Sequence, residues 1–523
     1  MALIFGFISF YVFVIFQKNV NGANILFLHS YASYSHRISM MPLANALISR
    51  GHNVTYIAPM SAETPNPKML DIIPETFKTF VDNSLNAQFD VTVRIAKETP
   101  NLFTMFDQLF AQSCEVLLTS LEFQAWLKTS PKIDLVVADL VPDCGVGIAY
   151  KLNAKIILYN TVAFYGKMVE LFKVPDEALT TYCDQPYKPA MSFFEKIKST
   201  LLPLGWAYYE HKNVPYLESV LREGLNITKL PSIYELYQNI SLIFLTGNYV
   251  TEQPRSLPPM FVSVPGLHLK RNRDPLPVAI EQFINSDADT NEGFIYISLG
   301  TLVVAPNLPI HTQNVFMNTI RKFPKIKFLW RWGGAFPTNL PKNLYMAQWF
   351  PQQSILSHAK IRAFITQGGR PSLQEAIFHG VPLVALPILG DQDFNAMRLE
   401  EIGVAIALEI SEITEHQLQS AVSRVLHGSF KTNVKKMSTI FKDLPMKPID
   451  TAVWWTEYVL RHDDMSLLKP MGRNLTWYER RNLDVWLTLF LAGVFTVFCI
   501  IALLISTCKF VQSCITTSKL KTL

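Results

Sequence analysis

The chain has 523 residues, 49% of them apolar and 17% charged, with a formal net charge of +5. That length exceeds a single hydrophobic core and fits two domains with additions. A charge this mild, with no basic block interleaved with aromatics, sets nucleic acid aside as a partner, and the apolar content leans towards a membrane-associated protein. Six cysteines are scattered, Cys114, Cys144 and Cys183 in the body and Cys499, Cys508 and Cys514 near the end, without a CxxC. This indicates neither a metal site nor a disulfide framework, and at most one disulfide in the body.

In chain order, the apolar run Leu3 to Phe16 is too short for a membrane span and suits a signal-peptide core, with cleavage near Gly22-Ala23. No Lys or Arg precedes the run; Lys18 follows it. The segment Asn24 to Ser30 then reads as a buried strand, the turn Ser30 to His36 opens a helix through Ser49, and Asn53 to Ile57 is the next strand. This alternation starts a Rossmann-like sheet, but the turn has no GxGxxG, so a dinucleotide is not expected. His36 stands at the carboxyl edge of the first strand, where open α/β sheets place ligands. A lone histidine there also reads as a helix cap. The strand in Ile133 to Cys144 ends at Asp139, which likewise reads as a helix cap.

The stretch Pro189 to His211 is rich in aromatics and basic residues; it reads either as core with a solvated face or as an interfacial amphipathic element. Pro-punctuated Pro258 to Pro277 reads as a linker, and a second αβ alternation runs from Gly293 to about Leu426. Within it, Arg362 to Thr366 is a strand, Gln367-Gly368-Gly369-Arg370-Pro371-Ser372 a turn, and a helix follows to His379, stopped by Gly380. A glycine turn feeding a helix N-terminus offers free amides and a favourable dipole to an anion, most often phosphate. Val485 to Cys508 carries no charge over 24 residues, long enough to span a bilayer. The tail beyond it has Lys509, Lys519 and Lys521 and no acid, which favours a cytoplasmic end; Arg480 and Arg481 on the other flank vote against, accompanied by Glu479 and Asp484.

Trp349 to Gln392, with Trp349, Gln352, Glu375 and Asp391-Gln392 around the glycine turn, closely resembles the signature segment of the UDP-glycosyltransferases. The resemblance extends to Tyr296–Thr301, Pro445–His462 and Gly51–Pro59 and covers nearly the whole chain. It implies a GT-B architecture: two Rossmann-like domains facing across a cleft, plus one C-terminal transmembrane helix. The expected division is a signal peptide (1–22), an acceptor-binding domain (23–257), a linker (258–282) and a UDP-sugar-binding domain (283–445). A return helix and juxtamembrane segment (446–484), a membrane helix (485–508) and a cytoplasmic tail (509–523) follow.

By position, the resemblance makes His36 the catalytic base and Asp139 its orienting acid, with Asp143, directly before Cys144, as the alternative. It assigns Trp349 to stacking on uracil, Gln352 to the uridine and Glu375 to the ribose hydroxyls. Gln367, Gly369, Ser372 and the helix amides take the diphosphate with Ser298 and Thr301, while Asp391 and Gln392 take the sugar. Many relatives have His where this chain has Gln367; a neutral donor stabilises the leaving group less, by roughly 1 kcal/mol. Arg370 is unusual there, and its position suggests that it restores the charge. No DxD motif appears in the cleft-forming segments, so neither a metal nor a cofactor is expected.

The expected activity is inverting transfer of a hexosyl group from a UDP-sugar, UDP-glucose before UDP-glucuronic acid, to a hydroxyl of a small lipophilic acceptor. A non-catalytic lipophile-binding member is the alternative from another class. Lys519 and Lys521, fifth and third from the end, look like a dilysine retrieval signal, placing the protein in the endoplasmic reticulum membrane with its body lumenal and a homo-oligomer open. Sequons then stand at Asn53, Asn226, Asn239 and Asn474, the first beside a buried-looking strand.

Overall fold

The computed structural model describes residues 22–31, 33–88, 94, 102–140, 144–175, 180–185, 187–270, 274–286, 291–301, 303 and 305–520. The expected leader and Asp143 lie outside the described residues, as do Lys521 and the side chain of Lys519. The chain divides into two compact units, Met1–Lys469 and Pro470–Leu523.

The first unit holds two wholly parallel sheets. Strands β1 (Asn24–Leu28), β2 (Asn53–Ile57), β3 (Met69–Ile72), β4 (Leu135–Asp139), β5 (Lys155–Asn160), β6 (Leu242–Leu245) and β7 (Phe261–Ser263) run in the order β3-β2-β1-β4-β5-β6-β7. Strands β8 (Phe294–Ser298), β9 (Lys327–Arg331), β10 (Leu344–Ala347), β11 (Ile361–Thr366), β12 (Leu383–Ala385) and β13 (Ala405–Ala407) repeat the pattern as β10-β9-β8-β11-β12-β13. Each sheet starts in its middle, winds outward, then returns to continue on the other side. The neighbours β1/β4 and β8/β11 are therefore switch points, where the connections diverge and leave a crevice at the carboxyl ends.

Such sheets are covered on both faces, which is why their strands read as unbroken apolar runs. In β8, Phe294 and Tyr296 pack with Leu329 and Phe364 on one face, while Ile295 and Ile297 pack with Phe328 and Trp330 on the other. The stretch read as linker is partly sheet. Its Phe261–Ser263 pairs in parallel with β6, because a short buried run beside an open sheet edge gains ladder bonds that an extended linker would leave to water.

The helices that bear on the site are α1 (Tyr34–Ser49), α2 (Leu102–Thr119), α3 (Cys144–Lys151), α4 (Phe193–Gly224), α5 (Gln352–Leu356), α6 (Arg370–His379), α7 (Gln392–Glu401) and α8 (Pro448–Arg461). Helix α8 follows the second sheet yet packs on the first: Ala452, Val453 and Val459 join the core of the amino-terminal half. Glu457 receives Arg50 Nη2 at 2.9 Å, and Lys155 Nζ donates to the carbonyls of Val459 and His462, each at 2.9 Å. The second unit carries α9 (Leu483–Leu520), whose Leu483–Ile515 is long and apolar enough to cross a membrane.

Cys114 on α2 and Cys144, the first residue of α3, form a disulfide closing a separation of 30 residues. It anchors the chain just beyond Asp139. Replacing both cysteines by alanine should lower stability by about 3.6 kcal/mol, the chain-entropy scale for a loop of this length. Denaturant melts of the purified chain with and without reductant check this; identical midpoints would show that the bridge constrains nothing.

Candidate active site

The first switch point sets up a buried acid–base pair. Helix α1 begins after the turn leaving β1, so His36, its third residue, faces the end of β4. His36 Nδ1 lies 2.6 Å from Asp139 Oδ2, and Asp139 is fully buried. Thr161, just past β5, brings its hydroxyl to 2.9 Å from the same nitrogen and 3.3 Å from Asp139 Oδ1. Burial pushes the Asp139 carboxyl up, but the charge of His36 and hydrogen bonds from His29 and His36 outweigh it and hold the group at about 2. An ionised carboxylate only accepts, so His36 Nδ1 must donate, leaving Nε2 as the free base. Burial lowers the His36 pKa; the charge and hydrogen bond of Asp139, then the charge of Asp391, overcome this and raise it above its ordinary value.

A second histidine stands behind the acid. His29, fully buried, lies with Nε2 2.9 Å from Tyr56 Oη and Nδ1 3.3 Å from the Asp139 oxygen that holds His36. Burial keeps its pKa low, so it packs as a neutral dipole against the carboxylate. The reading of the sequence missed His29; the available signal was a polar residue ending an otherwise apolar strand.

The second switch point faces this pair. Gly300, past β8, and Gly368, past β11, have φ of +80° and +92°, and a Cβ on Gly300 would sit 2.0 Å from Gln367 Nε2. The two turns thus pack in a way only glycine permits. Thr366 Oγ1 donates to Gln367 Oε1 at 2.9 Å, which leaves the Gln367 amide as a donor in the turn. Gly369 caps α6 without a side-chain hydrogen bond, so the first-turn amides stay available. Gln352, first in α5, donates to Ser372 Oγ at 2.9 Å and Glu375 Oε2 at 2.7 Å. Burial raises the Glu375 carboxyl to about 7 against the lowering effect of Gln352 and Gln353. Trp349 is 43% exposed, with the Arg331 guanidinium 4.9 Å from its ring centroid and Tyr34 edge-on at 5.9 Å.

Asp391 reaches across the cleft: its Oδ2 accepts from the Ala163 amide at 2.9 Å. Gln392 Oε1 accepts from the amides of Ile388 and Leu389, at 2.9 and 3.2 Å, which leaves its NH₂ group as donor. Arg370 lines the cavity with its charge partly offset: it is buried and pairs through Nη1 with Glu252 from the amino-terminal half, while Nε, 3.6 Å from Asp391, and Nη2 have no hydrogen-bond partner.

These groups meet in one cavity of about 340 Å³ between the two halves. His36, Ser298, Thr301, Trp349, Gln352, Gln367, Gly369, Ser372, Glu375, Asp391 and Gln392 all line it, with Asp139 directly behind His36. Its amino-terminal wall is mostly apolar and aromatic, including Tyr31, Phe110, Leu140, Tyr165 and Trp206. Beside His36, Thr161, Ser33 and Ser35, two charged side chains interrupt that wall: Lys167, paired with Glu210 at 2.6 Å, and Asp184, which accepts from the Trp206 indole and the Gly166 amide. Thr161, Arg331, Lys167 and Asp184 carry no sequence motif and were not foreseen.

The family model described as UDP-glucoronosyl and UDP-glucosyl transferase matches residues 25–521. UDP-glucosyltransferase 2 of Dactylopius coccus is 29% identical over 499 residues, 94% of each chain. UDP-glucuronosyltransferase 1-2 of Rattus norvegicus is 31% identical over 468 residues, 86% of this chain and 85% of that protein. Among solved structures, the spinosyn forosaminyltransferase SpnP (TM-score 0.55, 16% identity) and the calicheamicin glycosyltransferase CalG4 (0.54, 17%) align over 84% and 85% of this chain and 100% of theirs. The fold is GT-B.

The geometry makes one prediction free of any substrate. His36 should titrate above the ordinary histidine range, and Asp139→Asn, which removes the charge stabilising its imidazolium, should shift it down. Histidine-selective ¹³C NMR across a pH series reads this; an unmoved His36 resonance in the variant would show that the pair is not coupled.

Proposed function

The chain belongs to the UDP-glucoronosyl and UDP-glucosyl transferase family and so transfers sugar from a UDP-sugar; we propose that the sugar is glucose and that His36 is the base. The observation that carries this reading is the buried His36–Asp139 pair facing the uncapped, glycine-built turn before α6 across one cavity. The aromatic wall of the amino-terminal half suits a small lipophilic acceptor. Nε2 of His36 takes the proton of an acceptor hydroxyl as that oxygen attacks the anomeric carbon. The bond from the same carbon to the β-phosphate oxygen breaks, and UDP leaves, in one displacement that inverts the centre. Asp139 stabilises the imidazolium, while the α6 amides with Gln367, Ser372, Ser298 and Thr301 meet the charge growing on the diphosphate. Trp349 offers an aromatic face to uracil, Gln352, whose NH₂ serves Ser372 and Glu375, its acceptor oxygen to the uridine, and Glu375 an acceptor for the ribose diol.

The Asp391 carboxylate in the sugar subsite repels the carboxylate of a glucuronate, which supports glucose. The cations of the cavity wall offset this only in part: Lys167 is paired with Glu210 and Arg370 Nη1 with Glu252, whereas Arg370 Nε and Nη2 and Arg331 Nε have no hydrogen-bond partner. We place the body in the lumen of the endoplasmic reticulum, anchored by Leu483–Ile515. The Cys114–Cys144 bridge and the exposed sequons at Asn53, Asn226, Asn239 and Asn474 suit an oxidising, glycosylating compartment.

UDP release from full-length chain in microsomes, with UDP-glucose and UDP-glucuronic acid offered separately against phenolic and steroid acceptors, tests the donor. Release with glucuronate alone overturns the glucose reading, and silence with both, while UDP binds, moves weight to lipophile binding without catalysis. His36→Ala should cost about 10²–10⁴-fold in turnover with UDP affinity kept; a comparable loss of binding with intact turnover would remove His36 from the chemistry. Glu375 gives an independent check on the uridine site. A carboxyl at about 7 accepts more strongly from the ribose once ionised, so UDP-glucose should bind more weakly at pH 6 than at pH 8, by up to about tenfold. Calorimetry should show this dependence flattened in Glu375→Gln; an equal slope in the variant would assign it to another group.

A further inference from the structure

The segment that follows β5 holds three side chains of the cavity in turn. The Thr161 hydroxyl lies 2.9 Å from His36 Nδ1, the Ala163 amide donates to Asp391 at 2.9 Å, and the Gly166 amide donates to Asp184 at 3.2 Å. The first two contacts serve the base and the sugar subsite; Asp184 has no part in either. It is half-buried and lines the cavity within an aromatic frame, where Tyr165 and Trp206 stand edge-on at 6.2 Å. Its Oδ2 also accepts from the Trp206 indole. Both partners can only donate, which suits an ionised carboxylate, and they fill about half of the roughly four acceptor positions that such a group offers. No described cation pairs with it. Lys167 is taken by Glu210 at 2.6 Å, and Arg255, whose charge reaches Asp184, stacks 4.4 Å above the Phe164 ring and donates to the Thr181 carbonyl at 2.9 Å. Burial therefore pushes the Asp184 carboxyl above its ordinary range, against the lowering effect of Trp206, Gly166 and Arg255. A carboxylate in apolar surroundings with acceptor positions to spare favours a further donor.

We propose that Asp184 selects acceptors by a second hydrogen-bond donor, set apart from the hydroxyl that receives the sugar. The inference rests on the acceptor reading of the amino-terminal wall and narrows it to lipophilic molecules that are polar at two ends. Chain geometry limits their length. Gly166, beside Asp184, stands five residues after Thr161, beside the base, so these two anchor points lie within about 18 Å of each other. A small bifunctional acceptor spans that interval with its apolar body along Tyr165 and Trp206, one hydroxyl at Nε2 of His36 and the other donor at Asp184. A carbonyl in the second position would set an acceptor against a carboxylate. The site rejects such a molecule because it removes water from the charge and returns no hydrogen bond.

Calorimetry on the full-length chain in nanodiscs, saturated with UDP so that no sugar is transferred, reads acceptor binding directly. Two matched pairs differ in the second group alone: 4-hydroxybenzyl alcohol with 4-hydroxybenzaldehyde, and oestradiol with oestrone. In at least one pair the alcohol should bind about tenfold more tightly than the carbonyl compound. Asp184→Asn keeps an acceptor oxygen for Trp206 and Gly166 and offers an NH₂ group to the ligand, so the preference should fall to parity or invert. No preference in the wild-type chain, or a tenfold preference that survives in Asp184→Asn, overturns the proposal. Equal weakening of alcohol and carbonyl in the variant would assign Asp184 to the support of Trp206 and overturn it as well. If no member of either pair binds while UDP does, the acceptor reading of the wall falls, and the proposal with it.

Discussion

An ionised carboxylate deep in a protein needs donors on every side, and Asp139 finds them beyond the ends of two neighbouring strands, β1 and β5. His36 follows β1, Thr161 follows β5, and His29 stands where β1 leaves the sheet. Burying that charge unpartnered would be expensive, so the fold holds all three segments in register around it. The same requirement sets the chemistry, since a carboxylate that only accepts fixes the proton on Nδ1 and turns Nε2 of His36 to the cleft. The disulfide beside β4 and helix α8 against the first sheet hold this corner from outside.

The carboxy-terminal half answers with fixed dipoles where the first half uses charge. Its turns come close enough for Gly300 to touch Gln367, and its helix start keeps its amides uncapped. Arg370 among its cationic side chains is partly offset by Glu252. Asp391 links the halves. It accepts from the Ala163 amide while its charge raises the pKa of His36, so the two walls of the cavity share one electrostatic environment.

Burial of apolar surface drives the inner face of α4 into the domain, where Trp206 joins the cavity wall, while Phe193, Phe194 and Leu201 stand exposed on its outer face.

Period and punctuation in the sequence determined the alternating elements, the glycine turn at Gly368-Gly369 and the location of His36 and Asp139 at strand ends, because strand burial and helix capping are local. The second strand, Asn53 to Ile57, was legible to the residue. Tertiary structure alone decided what depends on distant pairings. Phe261–Ser263 became a sheet edge because β6 lay open beside it, and Cys114 met Cys144 through helix packing. Arg370 found a partner in Glu252, 118 residues away, and His29 came to rest against Asp139. Electrostatic partners of a buried charge are chosen by proximity in space, and sequence spacing records that proximity only within a turn or two of chain.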